Sequence, residues 1–349
     1  MKKLIAFVLA VGLVLSLAAC GGQTNGTTKG ADADTTKSAD TDTTAASQQA
    51  EHTYQLGVAQ EDSNPYSQGA YYFEKLVEEK SNGRIQIEVI TAGALGGEED
   101  MTEGVSIGTH DMCLTSNAPL AVFDERFSLF DLPFIFTSID QVDVVLDGEI
   151  GRGLLDGLES SGIKGLSYFE NGFRNITSNK PINSIDDIKG MKLRTMSNPS
   201  HVQYWKDAGA NPTPMTWGEV YTALQQGTID GQENPLLAIK GNKIYEVNKY
   251  IAMTQHVYTP VELIMNLNKF NELSADDQKL LLDCAQEAAV YERGIAREIN
   301  VDVKFFTDMG ITVTYPDVAP FQAAAANVWK EYGANVQDLI EQIQALNNK

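Results

Sequence analysis

The strongest constraint on this chain is an alternation of short β-like runs with helical patterns, begun near Thr53 and restarted after Gly162. Residues 53–58 read as a strand. Tyr71, Tyr72, Leu76 and Val77 share one face of a helix that Asn82-Gly83 ends, and residues 85–89 alternate with period two. A second helical stretch starts at Glu98 and a strand follows over 111–115. This βαβαβ opening implies a parallel sheet covered by helices. The pattern returns over 163–169, 174–178, 191–196 and 229–232, with helices between, so the expected fold is α/β with two lobes.

One segment bears on how the lobes connect. Ser274 and Asp277 form a capping-box-like start, and Leu280, Leu281, Cys284, Ala288, Ile295 and Ile299 keep a helical spacing. No stop signal appears before Gly310. About 35 residues at 1.5 Å each give a helix of roughly 50 Å, longer than a small domain is wide. The expectation is a strut along both lobes with its weak point at Gly294.

The N-terminus sets the compartment. Lys2 and Lys3 precede an apolar run over 4–17, too short to span a bilayer, that closes with Leu17-Ala18-Ala19-Cys20. This resembles a bacterial lipobox, which implies a signal peptide over 1–19 and lipidation of Cys20. Residues 21–50 hold no aromatic or branched aliphatic side chain and read as a flexible linker, reaching roughly 30 Å. The body is then extracytoplasmic and lipid-anchored to a bacterial membrane, periplasmic or at the cell surface. Cys113 and Cys284 sit in apolar surroundings and read as free buried thiols. With 47 acidic against 26 basic residues, the chain lacks the basic footprint of a nucleic-acid binder. An anionic small molecule stays open, because a few buried cations act locally against a screened global field.

Little in the chain suggests chemistry. Gly104-Val105-Ser106-Ile107-Gly108 matches GxSxG, the basis of an alternative reading as a secreted serine hydrolase. That motif needs a strand before the serine and a helix after it, and here the order is reversed. Gly151 and Gly153 resemble a dinucleotide loop, but the third glycine falls one position late and no strand precedes them. No histidine pair has zinc-ligand spacing, no paired-cysteine motif exists, and no cofactor or metal is expected. The arginines say more. Of seven, Arg174 and Arg194 lie inside apolar strand-like segments, and a buried arginine needs an anionic partner, either an internal acid or a bound ligand. Arg194 falls near the carboxyl end of its strand, where open α/β sheets place ligands.

The region 171–235 carries Asn171-Gly172-Phe173-Arg174, then Ile185-Asp186-Asp187-Ile188-Lys189-Gly190-Met191-Lys192-Leu193-Arg194. Gly209-Ala210-Asn211-Pro212-Thr213-Pro214-Met215, Glu219-Val220-Tyr221-Thr222-Ala223-Leu224-Gln225-Gln226-Gly227 and Asp230-Gly231-Gln232-Glu233-Asn234-Pro235 follow. These segments closely resemble the solute-binding proteins of TRAP transporters (tripartite ATP-independent periplasmic transporters). Asn64-Pro65-Tyr66, Gly93-Ala94-Leu95-Gly96 and Leu132-Pro133-Phe134 extend the likeness over nearly all of 53–349.

The resemblance implies a two-lobe periplasmic-binding-protein-like fold with hinge strands and the long helix spanning both lobes. Lobe I would comprise 51–171 plus 260–299, and lobe II 172–259 plus 300–349. It further implies a non-enzymatic receptor that passes an organic acid to a small and a large membrane subunit. An ATP-driven permease or a sensor is a second home for the same fold. Arg194 would hold the ligand carboxylate, with Arg174 and Asn234 beside it, Trp217 against the ligand and Glu61 facing it from the other lobe. Ser116 and Asn117 stand where sialic-acid-binding members place charged side chains. Hydroxyl and amide groups suit a sugar acid such as a hexuronate or aldonate first, and a four-carbon dicarboxylate next.

Overall fold

The structure, a computed structural model, describes residues 50–346. The signal peptide over 1–19, lipidation of Cys20 and the linker up to residue 49 lie outside the described residues.

The alternation in the sequence becomes two mixed sheets. β1 (His52–Gly57), β2 (Ile85–Ile90) and β3 (Met112–Ser116) run parallel, with the helices Pro65–Lys80 and Glu98–Ile107 as crossovers. β4 (Ile163–Phe173) then enters the same sheet, β5 (Asn175–Ser178), β6 (Lys192–Thr195), β7 (Asn211–Pro214), β8 (Gly231–Asn234) and β9 (Tyr250–Ala252) build the second, and β10 (Tyr258–Asn266) returns to the first. β11 (Thr312–Thr314) closes the far edge of the second sheet. The orders are β2-β1-β3-β10-β4 and β11-β9-β5-β8-β6-β7. β7 has two prolines in four residues and showed no strand signal; it survives as an edge, where missing N–H donors are tolerated.

The chain crosses between the sheets three times, at Gly172–Arg174, at residues 253–257 and between β10 and β11 through the long helix, and the first two crossings bond to each other. Arg174 N donates to Val257 O at 2.8 Å, and His256 N to Arg174 O at 3.3 Å. Gly172 has φ +109°, and a Cβ there would collide with the Asn300 amide. Only glycine serves at that position.

The long helix differs from its expected form. It runs Ala275–Asn300, 26 residues or about 39 Å, and passes Gly294 without interruption. Gly294 has nothing near its missing side chain, so neither packing nor strain marks it. The helix ends instead at Asn300, whose amide donates to Asn171 O (2.8 Å) while its carbonyl oxygen accepts from Leu237 N (3.0 Å). Asp302 then caps a separate short helix, Val303–Asp308, through Phe305 N. At the start, Ser274 Oγ accepts from Asp277 N at 3.2 Å, as the capping pattern predicts.

Two apolar faces lie outside the cleft. Leu56, Phe73, Val77, Leu263, Leu281 and Ala288 join the first sheet to its helices, and Val220, Leu224, Ile239, Ile251 and Phe306 do so for the second. A third cluster is shared, bringing Phe127, Phe130 and Leu132 against Leu193, Tyr204 and Trp205. Cys113 and Cys284 are buried free thiols.

Candidate binding cleft

Facing strand ends of the two sheets line a cleft of about 700 Å³, a volume suited to a small molecule. The first sheet contributes Glu61 beyond β1, the loop 92–97, the first turn of the helix Glu98–Ile107, and Ser116 at the tip of β3. The second contributes Arg194 from β6, Asn234 from β8, and Trp217, the first residue of the helix Trp217–Gln225. Parallel pairing of β6 with β7 and β8 aligns their carboxyl ends on this side, which is why Arg194 and Asn234 meet there.

Arg194 is 4% exposed, and no carboxylate among the described residues lies within ion-pairing distance. Its Nε and Nη2 donate to the Met215 carbonyl at 3.0 and 2.7 Å, and its guanidinium carbon lies 5.4 Å from the Trp217 ring centroid. Those contacts fix one edge of the guanidinium and leave Nη1 without a partner among the described residues. Burial, and then the charge of Arg174, lower its pKa to about 10. The side chain is a held cation with no ion-pair partner among the described residues.

Arg174 contrasts with it. Its Nη2 donates to Glu233 Oε1 at 2.8 Å and to Glu233 O at 2.6 Å, its Nε donates to Glu233 Oε2, and Nη1 reaches Thr259 Oγ1 at 3.3 Å. His256 Nε2 lies 2.9 Å from Glu233 Oε2. Burial opposes ionisation of Glu233, yet the Arg174 charge and the His256 bond hold its carboxyl well below the usual range. Arg174 borders the cleft with its charge already met at the hinge. Glu233 carries that pairing, a role that Gln232-Glu233-Asn234-Pro235 does not reveal in sequence because its partner is 59 residues distant.

The remaining expected residues divide. Asn234 donates to Gln232 Oε1 at 2.9 Å, leaving its carbonyl oxygen open. Trp217 is half-buried on the wall, Glu61 is exposed at the mouth, and Ser116 Oγ donates to Glu98 Oε2. Asn117 is not among the lining residues. Its amide donates to Asp131 Oδ1 at 2.7 Å, in a buried cluster where Asn198 Nδ2 donates to Asp131 Oδ2 and His201 Nε2 lies 2.9 Å from Oδ1. The β3 tip turns Ser116 and Asn117 in opposite senses, so adjacency in sequence did not mean a shared face.

Glu98, Glu99 and Asp100 also line the cleft, unforeseen. They form the first turn of a helix, where carboxylates complement the helix dipole, and that ordinary role hid them. Burial raises the Glu98 carboxyl, with the two Ser116 bonds pulling the other way. Ser106 lies in the last turn of the same helix, and its hydroxyl donates to Ser161 O at 2.7 Å. No described histidine bonds to it.

A cleft between two α/β layers, with paired chain crossings behind it and one uncompensated cation inside, defines a two-lobe binding protein. The profile of DctP, the bacterial extracellular solute-binding protein family 7, matches residues 56–335, and the chain belongs to this family of TRAP solute-binding proteins. A solute-binding protein of Verminephrobacter eiseniae (strain EF01-2) is 38% identical over 288 residues, spanning 81% of this chain and 85% of that protein. The C4-dicarboxylate-binding periplasmic protein DctP of Rhodobacter capsulatus is 35% identical over 278 residues, 78% of this chain and 82% of its own length. Among solved structures, a TRAP periplasmic solute binding protein from Polaromonas sp. JS666 bound to D-erythronate matches with TM-score 0.80 and 36% identity. That match covers 84% of this chain and 98% of the other.

Proposed function

We propose that this protein captures an organic acid, a sugar acid in preference to a four-carbon dicarboxylate, and delivers it to the small and large membrane subunits of a TRAP transporter. The single observation behind this is Arg194, buried, positioned by Met215 and lacking a carboxylate partner among the described residues. A ligand carboxylate supplies the missing charge, and a planar guanidinium meets it in a defined orientation. Asn234, with its free carbonyl oxygen, and Trp217 bound the same wall. The bound form is favoured when closed because only that state touches the ligand from both lobes. Lobe I over 51–171 plus 260–299 and lobe II over 172–259 plus 300–349 would rotate about the two bonded crossings and the end of the long helix. Anchoring through Cys20 rests on the lipobox, and Cys20→Ala should release the protein from the membrane fraction.

The test is a thermal-shift screen of uronates, aldonates and dicarboxylates, followed by calorimetry on the hits. A ligand at a hundred times its Kd adds roughly 2.7 kcal/mol of stability. If no carboxylate raises Tm, the proposal fails.

A further inference from the structure

The charges facing one another across the cleft are unequal. On the second-sheet wall, Arg194 is a cation without an ion-pair partner among the described residues, while Arg174 is already paired with Glu233. On the other wall stand Glu61, Glu98, Glu99 and Asp100, and none of the four forms an ion pair among the described residues. Glu98 and Glu99 are near enough for their charges to act on Arg194 across the opening.

Glu98 is the best placed of the four. It is half-buried, and its Oε2 is fixed by the backbone and hydroxyl of Ser116, at 3.1 and 2.5 Å. Its Oε1 has no hydrogen-bond partner among the described residues and remains an acceptor on the cleft wall. Ser116 cannot offset that charge toward a ligand, because its hydroxyl hydrogen is already given to Glu98. The helix Glu98–Ile107 begins at this wall, and a bare helix N-terminus there would attract anions. Three carboxylates in its first turn cancel that attraction. The first-sheet wall therefore accepts hydrogen bonds and repels negative charge, while the opposite wall demands one negative charge.

We infer that the cleft is a charge filter: it takes ligands with one carboxylate, held at Arg194, and a hydroxylated far end that donates to Glu98, and it rejects ligands carrying a second carboxylate there. This rests on the reading that Arg194 holds the ligand carboxylate, and narrows it to monocarboxylate polyols. The hydroxyl donor and the carboxylate differ at one carbon, so matched compounds isolate the effect.

The experiment is calorimetry at pH 7.5 and constant ionic strength with three pairs: D-erythronate and meso-tartrate, D-gluconate and D-glucarate, D-galactonate and galactarate. Wild-type protein, Glu98→Gln and Arg194→Met are compared, with circular dichroism as the folding control. Like charges brought together in a desolvated site cost several kcal/mol, so the monoacid of the best-bound pair should bind at least about 30-fold tighter than its diacid. Glu98→Gln keeps an acceptor for Ser116 and should narrow that gap about tenfold or more, chiefly by improving diacid binding. A diacid equal to or tighter than its monoacid in the wild type overturns the filter while leaving Arg194's role intact. A gap unchanged in Glu98→Gln overturns the assignment to Glu98. Binding that persists in Arg194→Met overturns the carboxylate reading itself, and silence from all six compounds overturns the filter, because a cleft built for a monocarboxylate with a hydroxylated far end binds at least one of the three monoacids.

Discussion

Replacing Arg194 with methionine separates what this side chain does for a ligand from what it does for the fold. In the ligand-free protein the folded state depresses its pKa to about 10, so the charge lowers stability at every pH below that. The penalty is roughly 3 kcal/mol. Against it stand the hydrogen bonds to the Met215 carbonyl, about 1 kcal/mol net, and the contact with Trp217, about 1 kcal/mol. Methionine retains the apolar stem, and water entering the open cleft can serve the Met215 carbonyl. Arg194→Met should therefore leave ligand-free stability unchanged within about 1 kcal/mol or raise it slightly. Binding moves the opposite way. Removing one partner of a buried charge pair costs about 2–5 kcal/mol, roughly 30- to 5,000-fold in Kd. Urea denaturation of the ligand-free variant and calorimetry with the best ligand of the screen give the two numbers. A stability loss above about 3 kcal/mol with affinity retained would show that Arg194 serves the fold, and the reasoning would fall.

The paired arginine should behave in the reverse manner. Glu233→Gln strands Arg174, 1% exposed, without a carboxylate and should cost about 3–5 kcal/mol in chemical denaturation; a loss under 1 kcal/mol would mean another group meets that charge. Burial lowers the His256 pKa more than Glu233 raises it, so below about pH 6.5 the unfolded chain binds a proton that the fold resists. Stability is then complete above that pH and declines on acidification, and Tm between pH 8 and 5 should fall less steeply in His256→Asn. Superimposable profiles would exclude His256 as the source. Ser274→Ala removes the cap of the long helix and should cost about 1 kcal/mol with ligand affinity unchanged, as read by denaturation and calorimetry together.

Elements whose signals are local were legible in the chain. The period-two run at β2, the capping serine at Ser274 and the strand-then-helix order of the first lobe follow from contacts between near neighbours, which the sequence displays directly. Resemblance supplied Arg194, Asn234 and Trp217, and all three line one cleft. Three features resisted. The long helix ends at Asn300 because that side chain bridges Asn171 and Leu237, 129 and 63 residues away, and no local stop signal was needed. Asn117 faces Asp131 rather than the cleft because of the turn at the β3 tip. Glu98 looked like helix-dipole chemistry until the fold set it opposite Arg194.

By itself, then, the amino-acid order determined an acidic α/β chain of two lobes with two arginines in apolar, strand-like segments, since composition, periodicity and burial preference are properties of short stretches. Which arginine is neutralised and which is left waiting was decided only by tertiary structure. Glu233 reaches Arg174 across a β5–β8 ladder, no acid among the described residues comes within ion-pairing distance of Arg194, and electrostatic pairing depends on distances through space that residue order does not encode.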